Sequence, residues 1–142
     1  MDAEKEQQMQ DLLAQPVLAR LATTNPKTLQ PHVVPVWFLW DGSSLWISAF
    51  ISTRKVKDLL KNPRCAVLIE PTQSKDSPLQ AVLLEGAADL IHEPASLVAE
   101  MSERIYAKYM GPEGVLAPEP QSWKNDPENR LVRLTPQQRF AW

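Results

Sequence analysis

The spacing of apolar and polar positions divides the chain into short elements. Over residues 2–14, Met9, Leu12 and Leu13 fall on one helical face, and Pro16 ends the pattern. The period then changes. Residues 17–24 (VLARLATT) are β-prone, and Asn25-Pro26-Lys27 is turn chemistry. Pro31 to Trp40 is a second strand, and Pro35 within it, which cannot donate to a ladder, implies a sheet edge or a bulge. Asp41-Gly42 is a hairpin signal, and Leu45 to Phe50 is the returning strand. Val56, Leu59 and Leu60 then set a short helix that a hydroxyl of Ser52-Thr53 caps and Asn62-Pro63 stops.

The second half continues in the same manner. Residues 65–69 are an unbroken apolar run, expected as a strand buried on both faces. Residues 71–78 are a polar loop, and Gln80 to Ile91 is a long strand with a bend at Gly86. Pro94 opens a helix whose Leu97, Met101 and Ile105 form an i, i+4 ladder as far as Gly111. Residues 112–129 read as a long proline-rich loop, Arg130 to Thr135 as the last strand, and the remainder as a tail to Trp142. Six short strands joined by tight turns, with peripheral helices, predict a small antiparallel barrel, mainly β with α+β character. The turns between the first strands are too short for parallel crossovers.

At 142 residues and 44% hydrophobic content, the chain is expected to be one domain spanning 1–142 with a core that needs no metal or disulfide. A net charge of −2 supplies no general attraction to nucleic acid or an anionic membrane. The acidic start has no apolar signal region, and the longest apolar stretch, Val33 to Trp40, is too short to span a bilayer. The expectation is a soluble, cytoplasmic protein. Only four glycines occur, with no GxGxxG or Walker-type loop.

Familiar catalytic sets are missing too. His32 and His92 lie on separate predicted strands, no serine stands in a GxSxG elbow, and Cys65 lies inside an apolar strand. No metal-ligand spacing is present. Two features remain. Residues 54–64 hold five basic residues (Arg54, Lys55, Lys57, Lys61, Arg64) and one acid, Asp58. A solvated helix face accounts for such a run; so does a phosphate held at a helix start. Trp37, Phe38, Trp40, Trp46 and Phe50 crowd the two strands before it. They suit a core, a subunit interface, or the flat ring of a ligand whose phosphate reaches the basic helix.

In order and spacing, the ARLAT first strand, PHVVPVWF, the DG hairpin, TRKVKDLLKNP, LEGAADLI, YAKYMG and the terminal RLTPQQRFAW resemble the pyridoxamine 5′-phosphate oxidase-like family of FMN-binding split barrels. The resemblance runs from about Leu12 to Trp142 and is to the small single-domain members. It implies a six-stranded split barrel, a homodimer with flavin sites at the subunit interface, and redox chemistry on a small-molecule substrate. By position, it implies that His32, Val33, Val34, Pro35, Val36 and Trp37 border the ring and ribityl chain, and that Ser48 and Ala49 lie beside the ribityl and phosphate. Thr53, Arg54 and Lys55 match the phosphate-binding hydroxyl and basic pair. Trp123 and Arg133 match a tryptophan and arginine supplied by the other subunit. The full-length oxidases have basic residues where this chain has His32 and Trp37, and a glutamine where it has Ala81. FMN is thus the implied cofactor, with a deazaflavin as the alternative and a non-catalytic flavin- or haem-binding module as the rival of another class.

Overall fold

The computed structural model describes all 142 residues as an eight-stranded antiparallel half-barrel with four helices. In chain order these are α1 (Ala3–Ala14), β1 (Ala19–Thr24), β2 (Pro31–Val36), β3 (Leu39–Trp40), β4 (Leu45–Phe50), α2 (Arg54–Lys61), β5 (Arg64–Ile69), β6 (Val82–Ile91), α3 (Ala95–Gly114), α4 (Pro118–Lys124), β7 (Asn129–Leu134) and β8 (Gln138–Ala141). The sheet runs β2-β1-β5-β6-β7-β4-β3, with β8 also on β6. Pro35 is accommodated because β2 is an edge strand.

The ten residues of β6 join the two curled halves of the sheet. Val82–Glu85 pair with β8 and Val82–Ala87 with β5, whereas Ala88–Ile91 pair with β7. Gly86 stands at the changeover. A Cβ there would lie 3.2 Å from both Gln137 N and Leu134 Cδ1, so any other residue would require its neighbours to shift.

Twenty buried residues fill the barrel, among them Phe38, Ile47, Val67, Leu84 and Val132, and α1 closes it with Met9, Leu12 and Leu13. A second cluster sits between the far face of β4 and β7 and helix α3, built from Trp46, Leu131, Val98, Met101, Ile105 and Tyr106. The helices bury their apolar faces in these two clusters. The outer face of β2-β1-β5-β6-β8 is left uncovered. Across it run two rows set by register, Val33–Ala22–Ala66–Glu85–Gln138 and Pro35–Arg20–Leu68–Leu83–Phe140. No helix is long and apolar enough to cross a membrane.

Several expectations are corrected. There are eight strands where six were expected, because the tail forms β8 and the second strand breaks after Val36. The break follows from Phe38, whose ring is fully buried in the barrel. Removing such a side chain from water is worth about 1.5–3 kcal/mol, enough to override strand continuity over two residues. The run at 65–69 is not buried on both faces: Cys65, Val67 and Ile69 point inward, while Ala66 and Leu68 lie on the uncovered face. The loop expected over 112–129 contains α4, with prolines in its first turn where a missing N–H does no harm. Gly111, at φ 82, breaks the helical path of α3 where the ladder was expected to end. Thr53 does not cap α2 with its hydroxyl, which donates to the carbonyl of Phe50 at 2.7 Å.

Candidate functional site

The break after β2 is held open by α3. The Phe38 N–H donates to Tyr109 Oη at 3.2 Å, and its carbonyl accepts from Lys108 Nζ at 3.1 Å. Tyr109 in turn donates to the Val17 carbonyl at 2.8 Å, and Lys108 also donates to the Leu13 carbonyl at 3.0 Å. Both groups titrate away from their ordinary values because they are buried: the Lys108 ammonium falls to about 8 and the Tyr109 phenol rises to about 12. Trp37 is fixed beside them. It stacks on Tyr109 at 4.9 Å with a 5° interplanar angle and meets Tyr106 edge-on at 6.3 Å.

This frame forms one wall of a groove of about 380 Å³ in which Pro35, Val36 and Trp37 face Ser48 and Lys55, with Ile105 and Tyr106 of α3 and Leu18 completing the lining. Lys55 is the one charge in it. Its side chain is half-buried, and desolvation holds its ammonium below the ordinary lysine pKa with no neighbouring charge to offset it. An anion entering the groove would supply that compensation.

Five of the thirteen residues that the sequence resemblance marks for the cofactor therefore meet in one place: Pro35, Val36, Trp37, Ser48 and Lys55. The others lie around it. His32 and Val34 stand on the inner side of β2, opposite Thr23 and Leu21, while Val33 is on the uncovered face and 59% exposed. Ala49 is buried within β4. Thr53 is turned back to Phe50 as described. Arg54 turns away from Lys55: its Nε lies 3.8 Å from Asp58 Oδ2, and it joins Lys27, Lys57 and Lys61 around a separate polar hollow of about 360 Å³. Trp123 packs edge-on to Tyr106 at 5.8 Å and does not line the groove. Arg133 donates to Asp89 at 3.0 Å and stands over the Trp46 ring, and its Nε is buried without a partner.

Leu18, Ile105 and Tyr106 are groove residues that sequence reasoning did not single out. Their signal was indirect: Ser102, Tyr106 and Tyr109 follow one another at i, i+4 and i, i+3 along α3, a polar stripe on a face otherwise built to be buried. Behind the groove, Ser48 Oγ is 2.8 Å from Tyr106 Oη, 2.8 Å from Asn129 Oδ1 and 3.0 Å from Ser102 Oγ. Asn129 Nδ2 donates to Ser102 Oγ at 2.9 Å. Ser102 and Asn129 are buried, so the cluster is satisfied from within the protein.

Residues 6–142 match the sequence model of the pyridoxamine 5′-phosphate oxidase family. No curated protein is similar enough to match the chain. Among solved structures, an F420 reductase is 22% identical with a TM-score of 0.73, over 92% of this chain and 94% of its own. A putative pyridoxamine 5′-phosphate oxidase from Listeria innocua is 22% identical with a TM-score of 0.69, over 96% of both chains. HutZ, a haem storage protein from Vibrio cholerae, is 14% identical with a TM-score of 0.73, over 96% of this chain and 93% of its own. At these identities the likeness is one of fold.

Proposed function

The chain belongs to the pyridoxamine 5′-phosphate oxidase family, and from that premise we propose that it is a homodimeric flavoprotein that performs oxidoreduction on a small molecule, with FMN in the groove between Trp37, Lys55 and Tyr106. The observation that carries this reading is Lys55, a half-buried cation without a counter-charge in an otherwise uncharged groove. Lys55 takes the phosphate at the start of α2, and Thr53 and Arg54 would have to turn from Phe50 and Asp58 to join it. The segment His32–Trp37 borders the ring and ribityl chain, and Trp37 offers a flat apolar surface that Tyr109 prevents from rotating. Ser48 and Ala49 lie under the chain between ring and phosphate. When bound, the flavin supplies the electron or hydride transfer; the protein holds it and excludes water from one side.

The second copy covers the outer sheet face. Leu68, Leu83 and Phe140 lie in one row there with Arg20, and Val33 in the adjacent row; Val33 is 59% and Phe140 43% exposed. Large apolar groups exposed among polar ones on an uncovered sheet face suit an interaction surface. Pro35 belongs both to that face and to the groove, so a partner seated on the face would border the cofactor. Trp123 and Arg133 of each copy are the residues proposed to reach the other's site.

One observation favours a second reading, a deazaflavin. Arg54, Lys27, Lys57 and Lys61 surround a polar hollow beside the helix start, and a cofactor with a longer anionic tail would use it. The absorption spectrum of the purified protein, with mass analysis of what denaturation releases, separates the two. A yellow protein releasing FMN is expected, and a released deazaflavin would replace this reading with the second. A colourless protein that does not take up added FMN would overturn it.

A further inference from the structure

We infer that the polar hollow between the β1–β2 turn and α2 is a second anion site, separate from the cofactor groove, for ligands carrying two or more linked phosphate or carboxylate groups. The hollow measures about 360 Å³ and no apolar side chain lines it. The turn contributes Lys27, and one face of α2 contributes Arg54, Lys57 and Lys61 at i, i+3 and i+7. This goes beyond the cofactor readings: the site fills while FMN stays in the groove, and the hollow is not left for a deazaflavin tail.

Every charge in the hollow but one is positive. The exception is Asp58, which is buried; its Oδ2 accepts from Thr23 Oγ1 at 2.9 Å and lies 3.8 Å from Arg54 Nε. Asp58 thus balances Arg54 alone, while Lys27, Lys57 and Lys61 form no ion pair with any carboxylate. Like charges at helical spacing repel, and here no neighbouring carboxylate relieves them. The remaining groups favour the same sign. Asn25 Oδ1 accepts from the N–H groups of Lys27 and Thr28 at 2.9 and 3.3 Å, which fixes the turn that presents Lys27. No acidic residue stands in the first turn of α2 and no side chain caps it, so the helix dipole adds to the positive potential.

Spacing sets the class of ligand. From Arg54 to Lys61 the helix rises by about 10 Å, more than one phosphate can bridge, whereas two or three linked anionic groups can follow the row. With no apolar wall, the hollow offers no surface to a base or ring. Selection is therefore by the number of linked charges. All four cations are exposed, so salt screens the site.

Calorimetric titration of the FMN-loaded protein at low ionic strength with inorganic phosphate, pyrophosphate and tripolyphosphate tests this, with flavin fluorescence followed in parallel. Affinity should rise about three- to tenfold with each added phosphate and fall as salt is raised. ATP should bind like tripolyphosphate, and flavin fluorescence should not change. Lys57→Ala combined with Lys61→Ala should weaken tripolyphosphate binding about tenfold or more and leave FMN affinity within about twofold. Lys5→Ala combined with Lys75→Ala removes the same charge elsewhere and should change neither. Equal affinity for the three anions, equal losses in the two double variants, or displacement of the bound cofactor by tripolyphosphate would overturn the inference. A protein that binds no FMN would sink the flavin reading alone, because the comparison of anions and variants then decides the hollow by itself.

Discussion

Lys55 at the start of α2 and Lys108 near the end of α3 are both half-buried, and burial lowers the pKa of each. Their surroundings differ. Lys108 reaches two carbonyls, of Leu13 and Phe38, and its ammonium lies 3.6 Å from the centre of the Phe38 ring. It pins α3 to the chain break that shapes the groove wall. Lys55 has no such company. The ammonium is hydrogen-bonded within the fold at one site and left without a partner at the other, and that difference separates a structural lysine from a binding one.

Exchanging each ammonium for an isosteric apolar group tests the contrast. Lys55→Met should weaken FMN binding by about 1.5–3 kcal/mol, the range for a charge-assisted hydrogen bond, or about ten- to a hundredfold in dissociation constant. Its urea-unfolding stability should stay within about 0.5 kcal/mol of wild type or rise, since no partner is orphaned. Binding that Lys55→Met leaves intact would return this lysine to the solvated surface.

Lys108→Met should behave in the opposite way. Two carbonyls lose their donor, so stability should fall by about 1–3 kcal/mol in urea unfolding at neutral pH. FMN affinity should change less than in Lys55→Met. A variant as stable as wild type would show that water replaces the ammonium, and the contrast between the lysines would collapse.

How far the sequence carries this contrast is seen at the two helices. The face of α2 was legible, because Val56 and Leu59 at helical spacing fix which side packs inward. Which neighbour, Arg54 or Lys55, meets the groove was not. Successive helical residues point about 100° apart, and the choice depends on where the sheet places the helix start. The Asp41-Gly42 hairpin, the edge position of Pro35 and the bend at Gly86 were legible because each is dictated by local backbone chemistry. α4 was missed because prolines suggest a loop, although Pro118 and Pro120 occupy the first turn, where a helix tolerates them. Tyr106, Lys108 and Tyr109 stand in the YAKYMG motif, but their roles were not legible because their partners, Ser48, Phe38 and Val17, are more than fifty residues away.

Titration gives a finer test of the Lys108 side. Its folded pKa of about 8 lies below the ordinary lysine value of 10.5. Between these values the unfolded chain keeps a proton that the native lysine has released, so this group makes stability rise with pH across that window. Cys65, raised to about 11 from 9.0, and Tyr109, raised to about 12 from 10.0, act in the reverse sense, because the native state keeps protons that the unfolded chain loses. Those two are common to wild type and Lys108→Met, so the difference between the proteins isolates the lysine. The stability gap should widen in favour of wild type as urea unfolding is repeated from pH 7.5 to pH 10, because only the wild type carries the lysine whose native state has lost its proton. A gap independent of pH would mean that Lys108 titrates normally and is not desolvated.

The smallest effect expected is a coupling. Lys108 and Tyr109 hold the two backbone polar groups of Phe38, its carbonyl and its N–H. Tyr109→Phe keeps the ring that stacks on Trp37 and removes only the hydroxyl that serves Phe38 and Val17. If Phe38 is the common anchor, loosening it through one partner should reduce what the other can lose. The double variant Lys108→Met with Tyr109→Phe should therefore be less destabilised than the sum of the singles, by about 0.5–1 kcal/mol, as for residues sharing one network. Lys55→Met combined with Lys108→Met should instead be additive within about 0.3–0.5 kcal/mol, because the two lysines share no partner. Additivity in the first pair would show that Lys108 and Tyr109 support the break after β2 independently. Coupling in the second pair would connect the two lysines through the groove wall, so that the binding cation also depends on the structural one.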